Sequence, residues 1–293
     1  MKRSDRLVPL LCAVLALSGC ADSVLAPIGP VGDADRTILL DSVAIMLAIV
    51  VPVIVATLAF AWWFRAGNER ARRLPRWSYS GRLELIIWSI PALVVLFLGG
   101  IAWIGSHDLD PARPLASHTR PLQLQVVALD WKWQFNYPDE HIAILNRLVL
   151  PAGVPLRLRI TSATVFNVFF VPQLGSMIYA MAGMRSELHL QADRPGTYLG
   201  ESANFSGDGF PTMHFPVEVL TAGQFRAWAA GTRGHGPALT ELSYRALLRQ
   251  SSAVAPYSYG DVQPGLFDRI VSLQLPPGSG PPVTSAAAAI RPP

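Results

Sequence analysis

The side chains that could hold a metal ion are few and scattered in this 293-residue chain. It contains six His and two Cys, and no cluster of them has the spacing of a metal site. His214 lies next to Met213, and we interpret it as an exposed or hydrogen-bonded strand residue. Met177, Met181 and Met184 follow one another at intervals of four and three, which could indicate a copper-handling stripe, but packing is the commoner use of such methionines.

Glu84 is an ionisable residue that could take part in proton transfer at a membrane surface. It lies directly before a long uncharged run, and an ionisable group beside a bilayer is a candidate functional residue. The alternative is a solvated carboxylate at the start of a helix, close to Arg82. The sequence leaves both interpretations open.

Two long apolar runs would bring Glu84 to a membrane. The chain is 51% hydrophobic with a mean hydropathy of +0.33, and the excess lies in residues 42–64 and 85–104, which contain no charged residue. Each run reaches the roughly 20 residues that cross a bilayer. Pro52 and Pro91 are compatible with such helices, because neighbouring helices can satisfy the backbone groups that proline leaves free. The predicted transmembrane helices are residues 39–64 and 83–105.

The loop between these helices, residues 65–82, predicts the orientation of the chain. Loops rich in Lys and Arg stay in the cytoplasm, so both termini would lie on the other side of the membrane. The net charge of +4 comes largely from this loop and the N-terminal basic residues. No basic groove interleaved with aromatic residues is visible, so we predict no nucleic-acid partner. The six arginines of the loop are Arg65, Arg70, Arg72, Arg73, Arg76 and Arg82.

The N-terminus has the pattern of a bacterial lipoprotein signal. Basic residues precede an apolar run that ends in Leu17-Ser18-Gly19-Cys20. We predict a signal peptide at residues 1–19, a lipidated Cys20 and a periplasmic segment at residues 20–38. The alternative is an ordinary secretory signal with a chance cysteine. Cleavage before Cys20 would leave a single cysteine, so no disulfide could form within the mature chain.

From His107 onward the chain changes to short alternating or β-branched runs broken by Pro and Gly. This pattern of short runs predicts an all-β sandwich or barrel, which we place at residues 106–221. An aromatic-rich extension follows at 222–275, and a tail at 276–293, rich in Pro, Ala, Gly and Ser, is predicted to be disordered. The predicted strands are 122–129, 148–150, 155–160, 165–171, 187–191, 197–199 and 215–220, and the predicted helices are 224–228 and 241–249.

Three segments resemble subunit II of the haem–copper respiratory oxidases. They are the Asp-Trp-Lys-Trp-Gln-Phe run at 130–135, the segment 167–175 with its Val-Pro, and residues 198–213. Together with the membrane hairpin, the resemblance covers most of residues 39–220. It implies a membrane α-helical hairpin of two transmembrane helices, followed by an extracytoplasmic, all-β cupredoxin-like domain. The C-terminal extension resembles that family more weakly, and would pack over the β domain and adjoining subunits.

Copper-bearing members of this family hold two copper ions with a Cys-x3-Cys-x3-His-x2-Met run and an earlier His. When that pattern is laid on this chain, its five positions, which we call the frame positions, are occupied by Asn167, Ser202, Ser206, Phe210 and Met213. Soft thiolates and imidazoles suit copper, whereas a hydroxyl is a poor ligand and a phenyl ring cannot be one. The resemblance therefore predicts a degenerate site without metal. A misalignment is the alternative.

Within this family, loss of the copper centre points to the quinol-oxidising, cytochrome bo-type branch. The Met-Ala-Gly-Met sequence at residues 181–184 resembles that branch as well. The resemblance implies a subunit of a proton-pumping terminal oxidase in the bacterial inner membrane, which oxidises ubiquinol and reduces oxygen to water. Haems and one copper would lie in subunit I. This chain would bind no cofactor and would have no catalytic residue. Its partners would be subunit I, other oxidase subunits and membrane lipid.

The resemblance also implies roles for three further residues. Family members have a Glu seven residues before the proline of the second span, at the mouth of a proton pathway into subunit I, and Glu84 stands in that relation to Pro91. Aromatic residues near Trp131 and Trp133 relay electrons in copper-bearing members. Without copper that route has no destination, so we interpret both tryptophans as core or interface residues.

Two other functions stay open at this point. The chain could be a lipid-anchored binding or copper-sensing module outside any oxidase, because a fold does not define a function. The two spans and Glu84 argue against that alternative. It could also be a cytochrome c oxidase subunit II with an atypical site, against which Ser202, Ser206 and Phe210 argue.

Overall fold

The computed structural model describes residues 24–72, 76 and 78–278. The predicted signal peptide, Cys20 and Arg73 lie outside these residues, as does the predicted tail from residue 279 onward. The chain divides into two compact units. One is Ala34–Asp110, and the other combines the residues up to Asp33 with those from Pro111 onward.

Two long apolar helices, α1 (Pro30–Trp63) and α2 (Gly81–Asp108), account for the first unit. Each is long and apolar enough to cross a membrane, and its most apolar stretch is not buried by the rest of the chain. Pro52 and Pro91 lie inside these helices, as predicted. Both helices are longer than the predicted spans. The 34 residues of α1 extend over about 51 Å, because more polar turns continue the helix beyond its apolar run.

The second unit is a β domain of two sheets with a C-terminal extension. Its strands are β1 (Leu122–Leu129), β2 (Lys132–Tyr137), β3 (Ile142–Leu145), β4 (Leu148–Pro151), β5 (Val154–Ser162), β6 (Asn167–Val171), β7 (Gly175–Ala180), β8 (Ser186–Ala192), β9 (Gly196–Ser202), β10 (His214–Leu220), β11 (Ala238–Leu239), β12 (Tyr257–Tyr259) and β13 (Asp261–Val262). One sheet has the order β12-β3-β2-β1-β5-β8, and the other has the order β4-β10-β9-β6-β7. Within these two sheets all neighbours are antiparallel except the parallel pairs β1–β5 and β4–β10.

The predicted strands agree with the structure where hydrophobic alternation is strong. The prediction for β1 has the same bounds as the structure, and those for β4, β5, β8 and β10 differ by one or two residues at their ends. The strands that were not predicted are β2, β3, β7, β11, β12 and β13. The short pair β11–β13 lies in the extension, which also contains three helices, α3 (Ala222–Thr232), α4 (Glu241–Leu247) and α5 (Leu266–Val271).

An aromatic cluster fills the space between the two sheets. The ring of Trp133 in β2 meets Phe169 of β6 edge-on at a centroid distance of 5.6 Å, and Phe135 lies 4.9 Å from Phe215 of β10. All four side chains are buried. Aromatic pairs in these geometries add to the free energy gained by burying their area. Trp133 is therefore a core residue, as predicted.

The outer face of the six-stranded sheet is covered by the C-terminal extension. Alternate residues of β1 and β3 point away from the aromatic cluster into a second buried cluster, where they meet Tyr244 of α4 and Phe267 of α5. The six-stranded sheet is thus buried on both faces, and the extension packs on the β domain as predicted. The members contributed by β1 and β3 are Val127, Leu129, Ala143 and Leu145.

A short N-terminal strap, which we define as residues 27–32, is built into the β domain. The amide of Ile28 donates to the carbonyl of Gln173 at 2.9 Å, and the carbonyl of Ile28 accepts from the amide of Asp193 at 2.7 Å. Gln173 lies in the turn between β6 and β7, and Asp193 follows β8, so the strap ties a turn of one sheet to the edge strand of the other. Ile28 and Val31 belong to the main hydrophobic core. The sequence predicted only a periplasmic segment here.

The strap leaves no room for a side chain at Gly29, where a Cβ atom would come within 1.8 Å of the carbonyl oxygen of Gln191. We expect Gly29→Ala to lower the free energy of unfolding of the β domain by roughly 1–3 kcal/mol, the usual range for overpacking. Denaturant unfolding of the purified chain, followed by tryptophan fluorescence, measures the change. The control is Gly223→Ala in α3, where nothing lies within 4 Å. Equal stability of both variants would contradict a packed strap.

Buried tyrosines predict how stability depends on alkaline pH. Burial raises the pKa of Tyr137 and of Tyr244 above the value near 10 that an unfolded tyrosine has. Above about pH 10 the unfolded chain therefore binds fewer protons than the folded chain. We expect the stability contributed by these groups to be complete below pH 10 and to fall progressively as the pH rises above it.

Two substitutions separate this titration from hydrogen bonding. The Tyr137 hydroxyl donates to the Val149 carbonyl at 3.0 Å and accepts from the Val149 amide at 2.8 Å. Tyr137→Phe should therefore cost roughly 1–3 kcal/mol at neutral pH and also reduce the alkaline slope. Tyr244→Phe should reduce the slope with a smaller neutral-pH cost. Denaturant unfolding between pH 7 and about 11 tests both, and unchanged slopes would refute the assignment.

Candidate functional site

The loop between β9 and β10, residues 203–213, carries most of the frame positions and is held at both ends. The amide of Ser202 donates to the carbonyl of Met213 at 3.1 Å, which brings the two ends of the loop together. The amide of Ala203 donates to the carbonyl of Val168 at 3.1 Å, which joins the loop to β6. Strand pairing therefore positions the loop beside the start of β6.

Asn167 and Ser202 form the first contact between frame positions. The Ser202 hydroxyl donates to Asn167 Oδ1 at 3.3 Å, and Asn167 Nδ2 donates to the carbonyl of Val165 at 3.1 Å. Both side chains are buried. Because buried polar groups need partners, the amide and the hydroxyl satisfy each other where the copper-bearing pattern has His and Cys.

Ser206 and Met213 form the second contact. The Ser206 hydroxyl lies 3.8 Å from Met213 Sδ, and both residues are buried. The carbonyl of Ser206 accepts a hydrogen bond of 3.0 Å from Trp131 Nε1. This tryptophan has a left-handed backbone with φ of 58°, which positions its ring over Gly209, where a Cβ atom would come within 2.2 Å of that ring. Trp131 thus fastens the loop to the turn between β1 and β2.

Phe210 stands apart from these two pairs. It begins a short 3-10 helix, Phe210–Thr212, and its ring meets Phe205 edge-on at 5.6 Å. Phe205 is 72% exposed. The structure therefore joins four of the five frame positions through Asn167–Ser202, Ser206–Met213 and the backbone bond between Ser202 and Met213. Phe210 is joined to them by its backbone alone, because its carbonyl accepts from the Met213 amide at 2.9 Å.

The side chains at the frame positions do not fit a binuclear copper centre. They offer one amide, two hydroxyls, one thioether and a phenyl ring, whereas a site with two copper ions requires bridging thiolates and imidazole nitrogens. Among residues 24–72, 76 and 78–278, no group of three or more His, Cys, Asp or Glu side chains comes together to hold a metal ion. What these residues can do is hold the loop by hydrogen bonds.

The other predicted residues have varied environments. His214 is exposed on β10, opposite Glu201 of β9, which agrees with its interpretation as a strand residue. Met177 and Met184 are 51% and 53% exposed, so they are not packed within this chain, and packing against another protein stays a prediction. They lie on or beside the sheet-edge strand β7, where one side of the strand has no neighbour. Trp131 is partly buried against the main core.

Glu84 lies in the first turn of α2 and is exposed. Its amide donates to the carbonyl of Ser80 at 3.0 Å, and the Ser80 side chain makes no capping bond. An acidic side chain in this turn is favourable for the helix, which is the alternative that the sequence left open. Cys20, the predicted lipidation site, lies outside the described residues.

Sequence reasoning did not predict the link between Trp131 and the loop. Gly209 carried the only partial signal, because glycine is common where another group approaches the backbone closely, but the sequence does not show that the group is Trp131. The pairing of Asn167 with Ser202 was also not predicted, although both positions were named.

Two apolar helices long enough to cross a membrane, followed by a two-sheet β domain, define a membrane protein with a β domain outside the bilayer. Residues 139–220 match the family described as cytochrome c oxidase subunit II, periplasmic domain. The chain is 45% identical over 264 residues to ubiquinol oxidase subunit 2 of Acetobacter aceti, covering 89% of this chain and 86% of that protein. The chain belongs to the ubiquinol oxidase subunit 2 family, and it is a membrane protein with a periplasmic domain.

Two further relatives have similar coverage. Cytochrome bo(3) ubiquinol oxidase subunit 2 of Pseudomonas aeruginosa is 42% identical over 262 residues, covering 89% of this chain and 79% of that protein. The protein of the same name from Pseudomonas putida is 42% identical over 272 residues, covering 92% of this chain and 87% of the relative. The likeness therefore includes the helices and the extension as well as the β domain.

The contact of Trp131 with the loop predicts a structural role for this residue. Trp131→Phe removes the hydrogen bond to the Ser206 carbonyl and should lower the free energy of unfolding by about 1 kcal/mol. Gly209→Ala should destabilise by a similar or larger amount, because its methyl group would displace the ring. Denaturant unfolding of both variants measures the effect, and parent-like stability of both would refute the role.

Proposed function

We propose that this chain is subunit II of a cytochrome bo-type ubiquinol oxidase, in which it is a structural subunit and carries no electrons itself. The match over 89% of this chain to a ubiquinol oxidase subunit 2 carries the proposal. The frame positions support it, because Ser202, Ser206 and Phe210 are unsuited to the copper that would accept electrons from cytochrome c. The complex would oxidise ubiquinol, reduce oxygen to water and pump protons, with the haems and one copper in subunit I.

The proposed location is the bacterial inner membrane. The arginine-rich loop between α1 and α2 supports a cytoplasmic hairpin turn, and the β domain would then be periplasmic. The domain limits predicted from the sequence belong to this proposal, including the signal peptide at residues 1–19. A lipid on Cys20 would add a second attachment on the periplasmic side.

The proposed partners are subunit I, the other oxidase subunits and membrane lipid. Support comes from an apolar edge patch on the β domain, which we define as Phe166, Met177, Tyr179 and Met184. Each of these side chains is at least 38% exposed, and the rings of Phe166 and Tyr179 lie 5.1 Å apart. Aromatic residues and methionine are enriched at protein interfaces, and an exposed apolar patch favours contact with another protein.

The choice of electron donor tests the proposed function. Oxygen consumption by the purified complex containing this chain is measured with ubiquinol and, separately, with reduced cytochrome c. We expect rapid turnover with ubiquinol alone. Turnover with cytochrome c would mean that an electron-entry site exists after all, and turnover with neither donor would favour a binding module outside any oxidase. In the assembled complex, Trp131→Phe should leave ubiquinol oxidation near the parent rate.

Glu84 is proposed to lie at the entrance of a proton pathway into subunit I. Its position at the end of a predicted span and its relation to Pro91 support this role. We expect Glu84→Ala to slow ubiquinol oxidation several-fold while the complex still assembles, because the pathway would lose its ionisable group. Glu84→Asp should restore turnover, since it returns a carboxylate.

Glu69→Ala is the matched control for this prediction, because it removes a carboxylate from the same loop region without changing α2. Turnover in the control should equal that of the parent complex. If Glu84→Ala turns over as fast as the parent, Glu84 is the solvated helix-start carboxylate that its exposure and its position in the first turn of α2 also allow.

A further inference from the structure

The loop between α1 and α2 carries a group of exposed arginines. In the described part of the chain, none of them lies within 4 Å of a carboxylate, whereas arginines of the β domain and its extension form ion pairs with Glu140, Glu187, Glu218 and Glu241. The loop and the first turn of α2 hold only Glu69 and Glu84 against them. We call these residues the arginine group, and they are Arg65, Arg70, Arg72, Arg76 and Arg82, all exposed.

Aromatic side chains flank the arginine group at both helix ends. Trp62 is 64% exposed at the end of α1, and Tyr79 is 72% exposed just before α2. The guanidinium of Arg65 lies 4.8 Å from the centre of the Trp62 ring and donates to the Trp62 carbonyl at 3.2 Å. Exposed Trp and Tyr at the ends of apolar helices occupy the headgroup region of a bilayer, so the arginine group begins at that depth.

The two ends of the loop, each with an arginine of the group, lie next to the bilayer. Arg65 lies two residues after the end of α1, and Arg82 lies in the first turn of α2, so both ends of the loop are fixed to membrane-spanning helices. Basic side chains next to a membrane surface are attracted to anionic headgroups there. Phosphate oxygens match the planar donor fork of arginine, and each basic residue near an anionic membrane surface strengthens binding by about fivefold.

We propose that the arginine group is a binding surface for the headgroups of anionic phospholipids, and that it prefers them to zwitterionic phospholipids. The occupant is lipid of the surrounding bilayer, because the flanking aromatic residues and the two helices hold the surface at the bilayer. This surface is separate from the quinol chemistry and from the frame positions. It rests on the two spans and does not require the chain to work in an oxidase.

Native mass spectrometry of the delipidated complex containing this chain tests the proposal. Phosphatidylglycerol and phosphatidylcholine are added separately, and bound lipid is counted. The loop variant carries Arg70→Gln, Arg72→Gln and Arg76→Gln. The control variant carries Arg120→Gln, Arg185→Gln and Arg194→Gln, which are exposed in the β domain and remove the same charge. We expect the loop variant to lose up to roughly 100-fold in affinity for phosphatidylglycerol, and the control to lose none.

Three results would overturn the proposal. They are equal binding of the two lipids by the parent complex, an unchanged preference in the loop variant, and displacement of phosphatidylglycerol by millimolar inorganic phosphate, which would indicate a site for free phosphate. If the triple variant fails to assemble, single substitutions and the salt dependence of the parent complex give the answer, because binding to exposed charges must weaken as salt screens them. Counting bound lipid does not depend on oxidase turnover. A negative result would therefore overturn the lipid proposal and leave the proposed oxidase function unaffected.

Discussion

The burial of strand β2 on both faces is the constraint on which the rest of the β domain depends. One face supplies Trp133 and Phe135 to the aromatic core between the sheets, and the other supplies polar side chains that are also buried. Lys132 is 2% exposed, and its ammonium donates to the Arg249 carbonyl at 2.6 Å and to the Ser251 hydroxyl at 2.7 Å. Burial lowers the pKa of Lys132, and nearby Asp130 partly offsets that effect. A buried ammonium needs acceptors, so the extension is part of the domain.

The aromatic core also explains why the loop keeps its shape. Phe169 and Phe215 are fixed by their contacts with Trp133 and Phe135. Phe169 lies two residues after Asn167, and Phe215 lies two residues after Met213. Asn167 begins the strand of Phe169, and Met213 immediately precedes the strand of Phe215. The packing of these two phenylalanines therefore fixes the distance between Asn167 and Met213. That spacing is a property of the two sheets, and no metal is required to produce it.

Sequence reasoning succeeded where one local pattern decides the outcome. The runs without charge predicted the two helices, and the alternation in residues 122–129 predicted β1 with its exact bounds. It failed where burial depends on distant parts of the chain. The polar residues of β2 are buried only because residues more than 100 positions later cover them, and Ile28 of the strap bonds to Gln173. In the site, the resemblance to the oxidase family indicated the positions of Asn167 and Ser202, but their mutual hydrogen bond requires the pairing of β6 with β9.

The residues at the frame positions can be understood as a replacement of metal coordination by hydrogen bonding. Ligands such as His and Cys, if left without a metal, would leave buried donors and acceptors without partners, which destabilises a fold. Asn167 and Ser202 avoid this, because the amide accepts from the hydroxyl and donates to a backbone carbonyl. Ser206 adds its contact with Met213, and its carbonyl accepts from Trp131. The loop is thus held from inside by neutral groups, so it can keep its shape without metal coordination.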